Sequence, residues 1–190
     1  MPDHFRISVG DRTLALLTGD ITRQDAEAIV NAANSSLMGG GGVDGAIHRA
    51  GGPAILDECR QYRETHPPLP AGRAIATSGG NLTARYVIHT VGPVWQGGGN
   101  GEPQTLASCY RESLRLADEM KVPTIAFPSI STGAFGYPVQ RAAEVAMKAV
   151  TETLTGTQHV REVRFVLFDQ RTFEAYKSAA EKVVTARAHS

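Results

Sequence analysis

The spacing of apolar and polar side chains opens the chain with two short strands, Arg6 to Val9 and Thr13 to Leu17, around a Gly10-Asp11-Arg12 turn. Ala28 to Val30 is a brief apolar strand ending at Asn31, followed by a loop of small residues from Asn34 to Gly42 and a helix from about Asp44. A second helix is predicted from Pro53 to Glu64. It stops before His66-Pro67-Pro68-Leu69-Pro70, because proline lacks the amide donor and clashes with a preceding helical turn. Ala74 to Thr77 and the nearly all-apolar Tyr86 to Val91 read as strands, the latter suited to a sheet covered on both faces. Trp95 to Pro103 is a Gly-rich loop. Gln104 to Lys121 is helical, with Leu106, Tyr110, Leu114 and Ala117 on one face. Thr124 to Phe127 is a strand and Ser129 to Gly136 a polar loop. A helix from about Pro138 to Leu154 turns Val139, Ala143, Ala146 and Val150 inward. Val163 to Phe168 is the last strand, and the last helix, from about Thr172, packs through Phe173, Tyr176, Ala180 and Val184.

Strands alternating with long helices from Ala74 onward argue for an α/β layered fold, and the paired N-terminal strands make its sheet mixed. The length suits one domain spanning 1–190, with no repeat or linker. No stretch reaches the roughly 20 apolar residues that cross a bilayer. The start, Met1-Pro2-Asp3-His4-Phe5-Arg6, carries no apolar run of a signal peptide. Two cysteines, Cys59 and Cys109, make no disulfide framework, so a reducing cytoplasm is the expected compartment. A formal net charge of zero argues against binding nucleic acid through its backbone, and no membrane partner is expected.

Ligands of open α/β sheets bind in loops at the carboxyl ends of strands. Three such loops are rich in small and polar residues: Gly19-Asp20-Ile21-Thr22, Asn34 to Asp44, and Ser129 to Gly136. The two Gly-rich ones, each leading into a helix, suit a diphosphate, since glycine lets backbone N–H groups approach an anion beside the positive end of a helix. The plainer alternative is that they are mobile turns. Gly40-x-Gly42-x-x-Gly45 has dinucleotide-fingerprint spacing but follows a loop, not a strand, and is a chance match. Neither a P-loop nor a Gly-x-Ser-x-Gly elbow is present. His4, His48, His66, His89, His159 and His189 show no zinc-type spacing with the cysteines, so no metal is expected. His89 reads as a satisfied core histidine, and both cysteines as packing residues. Asp20, with Thr22 close behind, and Asp44, with His48 one turn later, can each cap a helix or serve a ligand.

Gly19-Asp20-Ile21-Thr22, Ala28-Ile29-Val30-Asn31-Ala32-Ala33-Asn34, the block Gly39 to His48, Tyr86 to Pro93, and Phe127 to Pro138 together resemble the macrodomain signature, in order across nearly the whole chain. The resemblance is to the MacroD-type branch, which includes bacterial O-acetyl-ADP-ribose deacetylases. It implies a three-layer α/β/α sandwich with a mixed central sheet and ADP-ribose bound at its crest. Carried over, Asp20 would bond the adenine amino group with the Ile21 backbone beside it. Gly41, Gly42 and Val43 would line one side of the diphosphate, and Ser131, Thr132, Gly133 and Ala134 the other. Phe135 would pack on the distal ribose, which Asn34 and Asp44 would face as the catalytic pair. Phe135 stands where some close relatives have tyrosine, and Ala71-Gly72-Arg73-Ala74 departs from a common Thr-Gly-His-Ala.

The activity implied is hydrolysis of an ester at the distal ribose, in O-acetyl-ADP-ribose or in proteins mono-ADP-ribosylated on Asp or Glu. Asp44 would position or activate water and Asn34 would fix the ribose hydroxyls, with no metal or cofactor. The alternatives are a reader that binds ADP-ribose without cleaving it and an ADP-ribose 1″-phosphate phosphatase. Retention of both Asn34 and Asp44 favours the hydrolase.

Overall fold

The computed structural model describes residues 3–188. Met1, Pro2 and His189, which enter the readings of the chain start and of the histidine spacing, lie outside them. Strands β1 (His4–Val9), β2 (Arg12–Thr18), β3 (Ala28–Ala33), β4 (Ala74–Ser78), β5 (Tyr86–Val91), β6 (Thr124–Phe127) and β7 (Glu162–Leu167) form one sheet in the order β1-β2-β7-β6-β3-β5-β4. The inner ladders β2–β7, β7–β6, β6–β3 and β3–β5 are parallel, while β1 and β4 close the edges antiparallel. The sheet is therefore mixed at both edges; the second antiparallel edge, β4, adds to the expected one.

The strands alternate between two cores, as period-2 side chains with both faces covered must. Val30, Ile88, Ile125, Phe127, Val163 and Phe165 face the core formed with α3 (Glu102–Glu119), α4 (Val139–Leu154) and α5 (Gln170–Ala188). Ile29, Val87, Ala126 and Val166 face the opposite core, which includes Ile47 of α1 (Gly42–Gly51) and Ile55 and Cys59 of α2 (Pro53–Thr65). The result is the three-layer α/β/α sandwich.

Element boundaries move where tertiary contacts outweigh local pattern. β3 runs on to Ala33, because Asn31, Ala32 and Ala33 keep pairing with His89, Thr90 and Val91 of β5. α1 starts at Gly42 with Gly41 as its cap, so Asp44 sits inside the first turn and is not the capping residue. α3 starts at Glu102, since Pro103 falls in the first turn, where its missing N–H costs nothing. β7 ends at Leu167, leaving Phe168 outside the strand. Val184, expected to pack inward, is instead 40% exposed.

Candidate functional site

Two adjoining cavities of about 420 and 680 Å³ run along the carboxyl ends of the parallel strands and share Gly42, Val43, Ser129 and Gly133. The first is lined by Asn34, Gly41, Asp44, Ser131, Ala134 and Phe135, among others. The second is lined by Asp20, Ile21 and Thr132. All twelve residues singled out in the sequence thus line one cleft, although they come from four separate loops and helix starts. Its middle is the N-terminus of α1, whose first-turn N–H groups lack intrahelical acceptors and carry the positive end of the helix dipole. That is a place for an anion.

At one end Asn34 and Asp44 converge on Gly40. A Cβ there would meet Asp44 Oδ2 at 3.2 Å and Asn34 Nδ2 at 3.5 Å, so glycine keeps both polar groups open to the cleft. Asn34 is held by its own loop: Nδ2 donates to the Gly39 carbonyl at 2.9 Å, and Oδ1 accepts from Ser36 Oγ at 2.6 Å and Leu37 N at 3.1 Å. Asp44 is buried. Its Oδ1 accepts from Asn31 Nδ2 at 2.8 Å and lies 3.4 Å from His48 Nε2. Oδ1 therefore faces the protein and Oδ2 the Gly40 loop.

At the other end Asp20 caps the short 3-10 turn Ile21–Arg23, accepting from Thr22 N at 2.9 Å and Thr22 Oγ1 at 2.7 Å. The Thr22 hydroxyl, the Thr22 amide and the nearby Arg23 hold its carboxyl below the usual range against the opposing effect of burial. Both bonds use Oδ1, and the side chain is about half exposed. Capping leaves Oδ2 out of the cap, where the exposed Arg23 Nε lies 3.7 Å away.

The loop after β6 is braced from below and from the side. Tyr176 OH and Thr132 Oγ1 each lie 2.7 Å from Ser129 Oγ, and Tyr176 belongs to a buried aromatic cluster with Tyr110, Phe127 and Phe165. Ser131 holds a left-handed backbone, φ 69°, and its carbonyl accepts from Tyr137 N at 2.9 Å. Trp95 N donates to the Phe135 carbonyl at 2.8 Å. The loop carrying Trp95 is itself gathered on Glu102, which accepts from the amides of Gln96, Gly98 and Asn100 at 2.7–2.9 Å. Burial pushes the Glu102 carboxyl up, but those amides outweigh it and bring it down to about 2.

Phe168, Arg49 and Gly92 are among the lining residues that were not singled out from the sequence. Phe168, 93% exposed, lines the cavity that holds Asp20. So bare an aromatic at the cleft is accessible to a ligand, and the apolar run of the last strand concealed it. Arg49 lines the same cavity. Gly92 lines the Asp44 end, and its role is steric.

Behind Asp44 lies the fully buried His89, which is satisfied as expected: Nδ1 is 3.1 Å from Asn31 Nδ2 and Nε2 is 2.9 Å from Thr77 Oγ1. Burial, helped by the charge of neighbouring His48, pushes its imidazole down to about 3. Cys59 is buried beside it, and burial, with the charges of Asp44 and Glu58, pushes its thiol up to about 11, as a packing cysteine requires. The unfolded chain binds a proton at this histidine below pH 6.5, whereas the folded one does so only near 3. Unfolding therefore takes up a proton across that window, and this group lowers stability by about 1.4 kcal/mol for each unit by which pH is lowered. Thermal melts from pH 7 to 4.5 should show this slope in the wild type and a shallower one in His89→Gln; equal slopes would contradict it. Among the described residues, no three His, Cys, Asp or Glu side chains are grouped so as to hold a metal ion, and no helix is long and apolar enough to cross a membrane.

Comparison with known proteins returns a family model described as Macro domain, matching residues 30–146. A macro domain-containing protein of Caldanaerobacter subterraneus is 57% identical over 170 residues, covering 90% of this chain and 97% of its own. A protein of Cronobacter sakazakii named O-acetyl-ADP-ribose deacetylase is 51% identical, with 85% of this chain and 90% of its own covered. Among solved structures, the Oceanobacillus iheyensis macrodomain with ADP superimposes with a TM-score of 0.94 at 40% identity, covering 98% of this chain and 99% of its own. The Trypanosoma brucei macrodomain in complex with ADP-ribose gives a TM-score of 0.79 at 38% identity, over 87% of this chain and 68% of its own.

Proposed function

The chain belongs to the macrodomain family, and on that premise we propose that it binds ADP-ribose along the two-cavity cleft and hydrolyses esters of the distal ribose. The observation carrying the chemistry is the convergence of Asn34 Nδ2 and Asp44 Oδ2 on Gly40, at the end of a cleft built around the start of α1. Relatives named O-acetyl-ADP-ribose deacetylase support a hydrolase at the level of the family. Extension to proteins mono-ADP-ribosylated on Asp or Glu follows from the shared chemistry, an acyl ester on the same sugar.

In this reading the diphosphate lies between Gly41, Gly42 and Val43 on one side and Ser131, Thr132, Gly133 and Ala134 on the other. Adenine lies at Asp20 and the Ile21 backbone, with Phe168 available to stack on it. Phe135 packs on the distal ribose and Asn34 holds its hydroxyls. Asp44 Oδ2 orients a water, accepting its hydrogen as the oxygen adds to the ester. The acyl C–O bond to the ribose oxygen then breaks, that oxygen takes back the proton Asp44 had accepted, and the acid and free ADP-ribose leave. A cleft holding substrate in this register converts a bimolecular attack into a local one, and proton acceptance by a placed carboxylate adds to that.

Incubation with O-acetyl-ADP-ribose should yield ADP-ribose and acetate in equal amounts. Binding of ADP-ribose without products would make the protein a reader instead. The adenine role has a separate test in calorimetry. Asp20→Ala should weaken ADP-ribose binding about 10- to 100-fold, the worth of a hydrogen bond to a charged group. Asp20→Asn retains a cap for Thr22 but presents an amide N–H to the adenine amino group, so it should weaken binding as well. Unchanged affinity in both would refute the role.

A further inference from the structure

The reading above uses Asp44 but not the buried polar chain behind it. Resting on that reading of Asp44, we propose that His89, backed by Thr77, is a positioning residue that holds through Asn31 the orientation in which the Asp44 carboxylate presents one oxygen to the cleft. β3 and β5 pair Asn31 with His89 in register, so both side chains project from the same face of the sheet, toward Asp44 and Cys59.

The hydrogens along this chain follow from valence. An ionised carboxylate only accepts, so the Asn31 atom 2.8 Å from Asp44 Oδ1 is the amide nitrogen. That nitrogen has two hydrogens and accepts none, so the second, toward His89 Nδ1 at 3.1 Å, needs a bare lone pair there. A neutral His89 then carries its proton on Nε2 and donates it to Thr77 Oγ1 at 2.9 Å. Thr77 in turn donates to the Ser78 carbonyl at 3.0 Å. Every link has one direction, and the chain ends on Oδ1, leaving Oδ2 on the Gly40 side.

A second observation separates positioning from packing. Asn31 Oδ1 is buried without a partner among the described residues. An unsatisfied buried carbonyl costs about 1–3 kcal/mol, so stability alone does not select asparagine here. What the amide provides is two donors in fixed directions, one reading His89 and the other holding Asp44.

The test compares His89→Leu, His89→Gln and Thr77→Val for turnover of O-acetyl-ADP-ribose, ADP-ribose affinity and melting temperature. His89→Leu should lower kcat about tenfold or more, the order expected for a displaced reacting group, with KM and ADP-ribose affinity within about twofold of wild type. In His89→Gln the side-chain oxygen can accept from Asn31 and the nitrogen can donate to Thr77, so most of kcat should return. Thr77→Val, nearly isosteric, should fall between, and it carries the test if His89→Leu does not fold. Wild-type kcat in Thr77→Val and His89→Leu, or equal loss in His89→Gln and His89→Leu at matched stability, would overturn the proposal. The Asp44 carboxyl carbon is also followed by carbon-13 NMR at fixed pH, which needs no turnover: its chemical shift should change in His89→Leu and return in His89→Gln. An inactive wild type would sink the hydrolase reading, and this chemical shift alone would then decide whether His89 governs Asp44, an unchanged shift refuting it.

Discussion

Asp44→Ala should abolish turnover of ADP-ribose esters while leaving ADP-ribose binding within a few fold of wild type. The two effects separate because Asp44 sits at one end of the cleft, whereas Asp20, the α1 N-terminus and the 131–134 loop line the rest. A group that places water and accepts its proton contributes about 10²–10⁴ in rate, so the loss should fall in that range or below detection. The substitution also strips an acceptor from Asn31 Nδ2 and from the neighbourhood of His48 Nε2. The Asn31 hydrogen left without its acceptor costs about 1–3 kcal/mol, so melting temperatures must accompany the rates. Asp44→Asn separates the causes: it preserves volume but removes the charge, and it should be nearly as inactive as Asp44→Ala. Wild-type rates in either variant would remove Asp44 from the mechanism.

Gly92→Ala should weaken ADP-ribose binding through a single added methyl. Gly92 follows β5 directly, and a Cβ on it would overlap Ser131 Oγ and lie 2.7 Å from Ile130 Cγ2. Neither neighbour yields easily. Ile130 is fully buried, and Ser131 already holds a left-handed backbone. The methyl must displace the 129–137 loop and so reshape the cleft where the proposed reading puts the diphosphate. Overpacking of this kind costs about 1–3 kcal/mol. If it appears in the bound state, ADP-ribose affinity falls about 10- to 100-fold. Gly99→Ala is the matched control, because nothing lies within 4 Å of its added carbon. Equal calorimetric affinities for the two variants would show that Gly92 does not shape the cleft.

What the sequence reveals and conceals follows from range. The inner strands were legible because each is an apolar run covered on both faces, and the sites were legible because small and polar residues cluster where those strands end. Asn34, Asp44 and the 131–135 loop duly line the cleft. Asp44 read equally well as a cap, and only the placement of Gly41 at the helix start assigns it a place inside the first turn. Gly92 acts through a missing carbon opposite residues far along the chain, which no local pattern reports. Phe168 continued an apolar run and read as strand until the ladder stopped at Leu167. His89 was recognisable as a core histidine, but its link to Asp44 depends on the β3–β5 register, a property of the folded sheet.

The central claim is that Asp44 drives ester hydrolysis on a bound ADP-ribose. It is tested most directly by following release of labelled ADP-ribose from a protein mono-ADP-ribosylated on glutamate, with wild type and Asp44→Ala side by side. The account predicts release by the wild type and none above background by the variant. No release by either, with ADP-ribose binding intact, or equal release by both, would contradict it.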